Sequence, residues 1–180
     1  KVAGSCNGIE EAAEDILEIA LGIHGVNCGS FLAEDHASGD LVMAARRGPS
    51  GRLADALAWI EKGSAAYEWV AAESNRFLSA DDPFPPAERE RREDGVGAMA
   101  IRTLFNQGRP MAVLVLGGCG DGEMDSRALE AIDVVAAETG AVIARISAEE
   151  ALRRAEERVR SFIESVEDMV YFQARDGSVT

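Results

Sequence analysis

Two histidines and three cysteines are the first residues to question about catalysis or metal binding. His24 falls at the end of a helical pattern and His36 beside a turn. Neither has partner ligands at the spacing a metal or haem site needs, so both read as surface residues. Cys6, Cys28 and Cys119 are an odd number without metal-type spacing, which suits a reducing cytoplasm better than a disulfide framework. Cys28 opens a strand-like run. Cys119 reads as part of a Gly-rich loop, where flanking N–H groups could activate a redox thiol. Asp121 opposes that, and no redox role is expected. No catalytic residue, no metal site and no nameable cofactor emerges.

The aromatic residues are more suggestive. Trp59, Tyr67 and Trp69 gather rings with a polar edge in one short stretch. Such rings suit a small ligand, offering stacking area and a hydrogen bond, and equally suit a core or a cover over a sheet. Arg102 interrupts an apolar strand. A buried guanidinium needs an acid partner or an anionic ligand; the simpler reading is an edge strand with Arg102 facing water.

The elements that would position these residues follow from periodicity. Ile9 to Ile23 keeps apolar residues at helical spacing opposite a face of Glu and Asp. Cys28 to Asp35 and Leu41 to Ala45 read as a hairpin around Ala37-Ser38-Gly39-Asp40. Leu53 to Ile60 and Ala65 to Ala72 read as short helices, Asn75 to Ser79 as extended. Asp81 to Pro86 holds three of the five prolines and must be irregular. Ala87 to Asp94 is charged, at best a short surface helix. Met99 to Phe105 and Met111 to Leu116 form a second hairpin around Asn106-Gln107-Gly108. The run Met111–Leu116 is apolar without alternation, as in a central strand covered on both faces. Glycines from Gly117 onward should break it. Asp125 or Ser126 then caps a proline-free helix with an apolar stripe from Leu129 to Ile146. These elements make an α+β domain with a mainly antiparallel sheet.

Composition narrows the function classes. The 180 residues, 47% of them apolar, suffice for one core plus extra material. A net charge of −14, from 32 acids against 18 bases, would repel phosphate backbones and anionic lipids. Nucleic-acid binding and direct membrane contact are therefore not expected. No apolar run approaches the ~20 residues of a membrane span, and no secretory signal pattern appears, so the expected location is the cytoplasm. The start at Lys1 suggests a piece of a longer chain.

The order and spacing of these stretches resemble a GAF domain. The residues from Gly29 to Asp35 and from Gly39 to Gly48 look like the family's first hairpin. Lys62-Gly63-Ser64-Ala65-Ala66-Tyr67-Glu68-Trp69 looks like its Gly-rich helix start, with Ala65 and Glu68 where glycines are common. Ile101 to Gly108 and Met111 to Gly117 look like the last hairpin, and Asp125 onward like the terminal helix. The resemblance implies a central antiparallel sheet with helices on both faces. The first and last helices lie on one face, and a small-molecule pocket lies on the other. It places the ligand-binding residues at Trp59, Tyr67 and Trp69, with Ser30, Arg46, Met99 and Ile101 on the strands. GAF-type free methionine-R-sulfoxide reductases need a cysteine in the helix start, where this chain has Tyr67. Bilin-binding members need a Cys-His neighbour pair, which this chain lacks. Asn75-Arg76 with Phe84 only partly matches the cyclic-nucleotide signature.

The tail from Phe162 to Phe172, with Asp176-Gly177, resembles the first strand and turn of a PAS domain. The expected organisation is residues 1–8 as an upstream segment, 9–146 as the GAF domain, 147–163 as a signalling helix and 164–180 as a truncated PAS start. That order implies a non-catalytic sensory module of a two-component signalling protein, such as a histidine kinase. It would bind an unidentified small molecule or, alternatively, serve as a ligand-free dimerisation and relay domain. Leu152, Ala155, Val159, Phe162 and Val166 recur in steps of three and four, the seam of a parallel homodimer. Val135, Thr139, Val142, Ile146 and Glu149 form a second seam, out of phase with the first by one residue.

Overall fold

The structure is a computed structural model that describes residues 7–48, 51–119 and 124–175. The chain order is α1 (Asn7–Leu21), β1 (Cys28–Glu34), β2 (Leu41–Arg47), α2 (Gly51–Ala56), β3 (Trp59–Ile60), α3 (Ala65–Ala71), β4 (Asn75–Leu78), α4 (Glu88–Glu93), β5 (Val96–Asn106), β6 (Arg109–Cys119) and α5 (Ser126–Arg175). The strands form one sheet in the order β3-β2-β1-β6-β5-β4, with every neighbouring pair antiparallel. The chain divides into two compact units, Lys1–Ala144 and Arg145–Thr180.

In the first unit the sheet separates two apolar layers. On one face Ala13, Ile16, Leu17 and Ala20 of α1 meet Phe31, Leu114, Leu116 and, from α5, Ile132 and Ile143. On the other, Leu53, Leu57, Tyr67, Val70 and Phe84 cover Leu32, Met99, Ile101, Val113 and Val115. The central strand β6 feeds both layers, which is why Met111–Leu116 shows no alternation. Its partner β5 turns into it through Gln107 and Gly108, with φ of 51° and 77°. Two successive positive φ values make the primed turn whose twist matches a two-residue hairpin.

Four expectations are corrected. The strand β6 runs through Gly117 and Gly118 to Cys119 without breaking. Gly117 is there for close approach: a Cβ would stand 2.8 Å from both Cys28 Sγ and Val96 Cγ1. The helix expected over Leu53–Ile60 stops at Ala56, and Trp59–Ile60 pairs with Leu41 and Val42 as an edge strand. Arg91, on the short helix α4, is buried, so that helix is no mere surface decoration. Finally, α5 is helical to Arg175, so Met169–Phe172 is helix where a PAS-type strand was the expectation. An isolated strand has no ladder partner, whereas a helix satisfies its backbone internally. The turn at Asp176-Gly177 lies outside the described residues.

The capping expectation holds: Asp125 Oδ1 accepts the Ala128 N–H at 2.8 Å and opens α5. In the second unit, α5 pairs Arg153 with Glu157 at 3.0 Å along its polar side.

Candidate functional site

Register brings most of the predicted residues onto one face. Arg46 pairs with Ser30, Ser30 with Val115, Val115 with Ile101, and Ile101 with Arg76. Cross-strand partners share a face, so these five form a row from β2 to β4 beneath α2, α3 and α4. Met99 lies in the next row, opposite Gly117. Tyr67 reaches the same layer from α3, whose first turn is capped by Ser64 accepting the Tyr67 N–H.

Within this layer the placements differ. Tyr67, Met99 and Ile101 are buried in contact with the cluster, and Ser30 is buried in the row. Trp69 is half-buried; its ring meets Phe84 edge-on at 5.4 Å, and the Arg76 guanidinium lies 4.2 Å above it. Burial, then the negative charges of Glu34 and Glu68, raises the Tyr67 phenol above its ordinary range. Two predicted members do not join. Trp59 is 65% exposed on the edge strand β3, because its neighbour Ile60 takes the inward position. Arg46 is turned onto Asp55 of α2 at 2.7 Å, in an exposed pair.

Arg91 was invisible as a site residue in the sequence. It is 1% exposed, and its guanidinium donates to the carbonyls of Ser79, Asp82, Val96 and Gly97. Glu88 lies 3.8 Å away. One side chain thereby pins the proline-containing segment 79–86 to the start of β5. Asp82 accepts the Ser79 N–H and hydroxyl, and Glu88 accepts the Phe84 N–H, fixing the same segment from the other side.

Arg102 faces α5, not water. It lies on an inner strand, and its guanidinium donates to Asp133 of α5 at 2.6 Å and to the carbonyls of Arg76 and Ile101. The acid-partner alternative holds, and the edge-strand reading is corrected. Beside it a groove of about 400 Å³ is lined by Asn75, Leu104, Phe105, Asp133, Ala136 and Gly140.

His24 and His36 are exposed, and no group of three or more His, Cys, Asp or Glu is placed to hold a metal ion among the described residues. Among those residues no helix is long and apolar enough to cross a membrane. On α5, Leu152, Ala155, Val159 and Phe162 are exposed, while the side chain of Val166 lies outside the described residues. The upstream seam differs. Thr139 is buried, with its hydroxyl donating to the Val135 carbonyl, and Val135 packs against the α1 layer. Those two positions are used within the chain, so the seams are not equivalent.

A family model for the GAF domain matches residues 6–144. A comparison with curated proteins finds no significant match. Among solved structures, a domain assigned to a two-component sensor histidine kinase protein from Sinorhizobium meliloti is similar at TM-score 0.62 and 23% identity, over 82% of this chain and 98% of that one. The GAF domain of a two-component sensor histidine kinase from Bacillus halodurans is similar at TM-score 0.59 and 10% identity, over 79% and 97%. Free methionine-R-sulfoxide reductase from Neisseria meningitidis, solved with its substrate, is similar at TM-score 0.53 and 19% identity, over 79% and 87%.

Proposed function

The chain belongs to the GAF domain family, and from that premise we propose that it is a non-catalytic regulatory module of a cytoplasmic signalling protein, a sensor histidine kinase, acting as a dimerisation and relay element. The observation that carries this reading is the seam on the second unit. Leu152, Ala155, Val159 and Phe162 keep steps of three and four along α5, and Phe162 is 69% exposed. Apolar residues at coiled-coil spacing gain roughly 25 cal/mol per Å² when a partner covers them. A second copy in parallel supplies the same seam.

The other face supports the ligand-free form of the proposal. Tyr67, Met99 and Ile101, the inner residues of the expected small-molecule site, are packed among Leu57, Val70 and Val113. Kinship of fold with sulfoxide reductases does not carry their chemistry, since Tyr67 stands where their helix start needs a cysteine.

The test is sedimentation of the chain beside its Val159→Glu/Phe162→Glu variant. The parent should sediment as a dimer and the variant as a folded monomer. A monomeric parent at high concentration would remove the relay reading. A small molecule retained in native mass spectrometry, and lost in Met99→Trp, would restore the ligand-binding alternative.

A further inference from the structure

Two thiols face each other where β1 begins and β6 ends. Cys28 is buried, Cys119 is half-buried, and their Sγ atoms are 3.4 Å apart although 91 residues separate them. Both lie in the layer beneath α2–α4, where Cys28 belongs to the cluster and Cys119 packs against it. The backbone around them is tightly held. Cys28 pairs with Gly117, and the Asn27 side chain donates to the Cys119 carbonyl at 3.1 Å while accepting the Cys119 N–H at 2.8 Å. Asn27 N–H also donates to Gly117 O at 3.0 Å. The missing Cβ of Gly117 leaves the space that Cys28 Sγ needs.

We propose that Cys28 and Cys119 are a redox pair, converted to an intramolecular disulfide by a hydroperoxide and restored by a dithiol. Cys119 is the accessible partner and reacts first, as its thiolate. Its sulfur bonds to one peroxide oxygen, the O–O bond breaks, and the other oxygen leaves as an alcohol or, from hydrogen peroxide, as water once protonated. The product is a sulfenic acid on Cys119. The Cys28 sulfur then attacks the Cys119 sulfur, gives up its proton and expels the hydroxyl as water. Two thiols lose two electrons in total, and one hydroperoxide gains them. The sulfurs close from 3.4 Å to the roughly 2.0 Å of a disulfide. The new bond ties the first residue of β1 to the last of β6, the strand that leads to α5. Oxidation therefore acts on the strand that precedes, in the chain, the helix through which this module is proposed to signal. The chemistry itself does not depend on that proposal.

The experiment uses the 180-residue chain carrying Cys6→Ser, which removes the third thiol. After brief hydrogen peroxide treatment, the intact mass should fall by about 2 Da, the two hydrogens lost when thiols pair. A peptide map should join the Cys28 and Cys119 peptides, and dithiothreitol should reverse both changes. Closing so long a loop should raise the melting temperature by roughly 5–10 °C. Adding Cys119→Ser, at a half-buried position, should abolish the linkage and the rise while leaving the untreated protein folded. Oxygen added irreversibly to Cys119 without linkage, or a bond formed only between molecules, would overturn the proposal. Repeated thiol-dependent turnover of free methionine sulfoxide that is lost in Cys119→Ser would also overturn it, because the pair would then be catalytic.

Discussion

Arg102 Nε and Asp133 Oδ1 stand 2.6 Å apart, joining an inner strand of the sheet to α5. The two ends of this pair are unequal: the arginine side chain is 6% exposed and the aspartate 52%. Removing the arginine therefore differs from removing the acid. Arg102→Ala opens a void and strips a donor from the Arg76 carbonyl, and should cost about 2–4 kcal/mol. Asp133→Ala leaves the guanidinium bonded to two carbonyls but strands its buried charge without an acid, and should cost about 3 kcal/mol or more. Urea unfolding of both variants decides it; a loss in Asp133→Ala well below that in Arg102→Ala would mean the packing, not the stranded charge, dominates.

Arg91 should tolerate substitution least. Arg91→Lys keeps the charge but cannot span the carbonyls of Ser79, Asp82, Val96 and Gly97 at once. It should lose roughly 2–3 kcal/mol, and Arg91→Ala 3 kcal/mol or more, about the scale of a broken buried polar network. A melting curve of Arg91→Lys that overlays the parent would refute this.

Acid should loosen the same region. Asp82 titrates below its ordinary 3.8 because the Ser79 N–H and hydroxyl donate to it. Glu88 titrates below its ordinary 4.5 because of the Arg92 guanidinium, then the Phe84 N–H. A depressed carboxylate gives stability that is complete above the ordinary value and is lost as pH falls through the lowered one. Segment 79–88 should thus begin to free itself below about pH 4. In a Trp59→Phe background the near-ultraviolet dichroism of Trp69, set against Phe84, follows that step. A Trp69 signal unchanged down to about pH 2.5 would contradict it.

Two glycines should fail for different reasons. Gly117→Ala places a methyl 2.8 Å from Cys28 Sγ and Val96 Cγ1, and should cost about 1–3 kcal/mol by overpacking. Gly108→Ala meets nothing within 4 Å but keeps a φ of 77°, and should cost about 1 kcal/mol from backbone strain alone. Adding Cys28→Ala should rescue part of the first loss and none of the second, measured as a double-mutant cycle.

What could be read in the chain beforehand was local. Met111–Leu116 announced a central strand because both its faces are apolar, and Asp125 announced a helix start because capping needs only neighbours. Trp59-Ile60 misled because helical spacing from Leu53 is a local signal, while pairing with Leu41 and Val42 is supplied by another strand. The acid partner of Arg102 was one of two readings, and only the position of β5 inside the sheet decides between them. Arg91 and the Cys28–Cys119 contact carried no signal. One depends on carbonyls scattered from Ser79 to Gly97, the other on residues from opposite ends of the domain.

The placement of β1 beside β6 also sets the order in which the domain can assemble. The hairpin β5–β6 closes through a two-residue loop, and β1–β2 through a short turn, so each can form on the microsecond scale of local pairing. Joining them pairs Cys28 with Gly117 across nearly the whole domain, a closure whose entropy must be met before the sheet exists. On the ribosome, β1 and β2 emerge early, and the edge of β1 that pairs with β6 waits without its neighbour until β6 has been made. Of these elements α5 is made after all the strands, and it covers the α1 face of the completed sheet with Ile132 and Ile143. The segment that ends the domain is thus also the one whose arrival finishes its core.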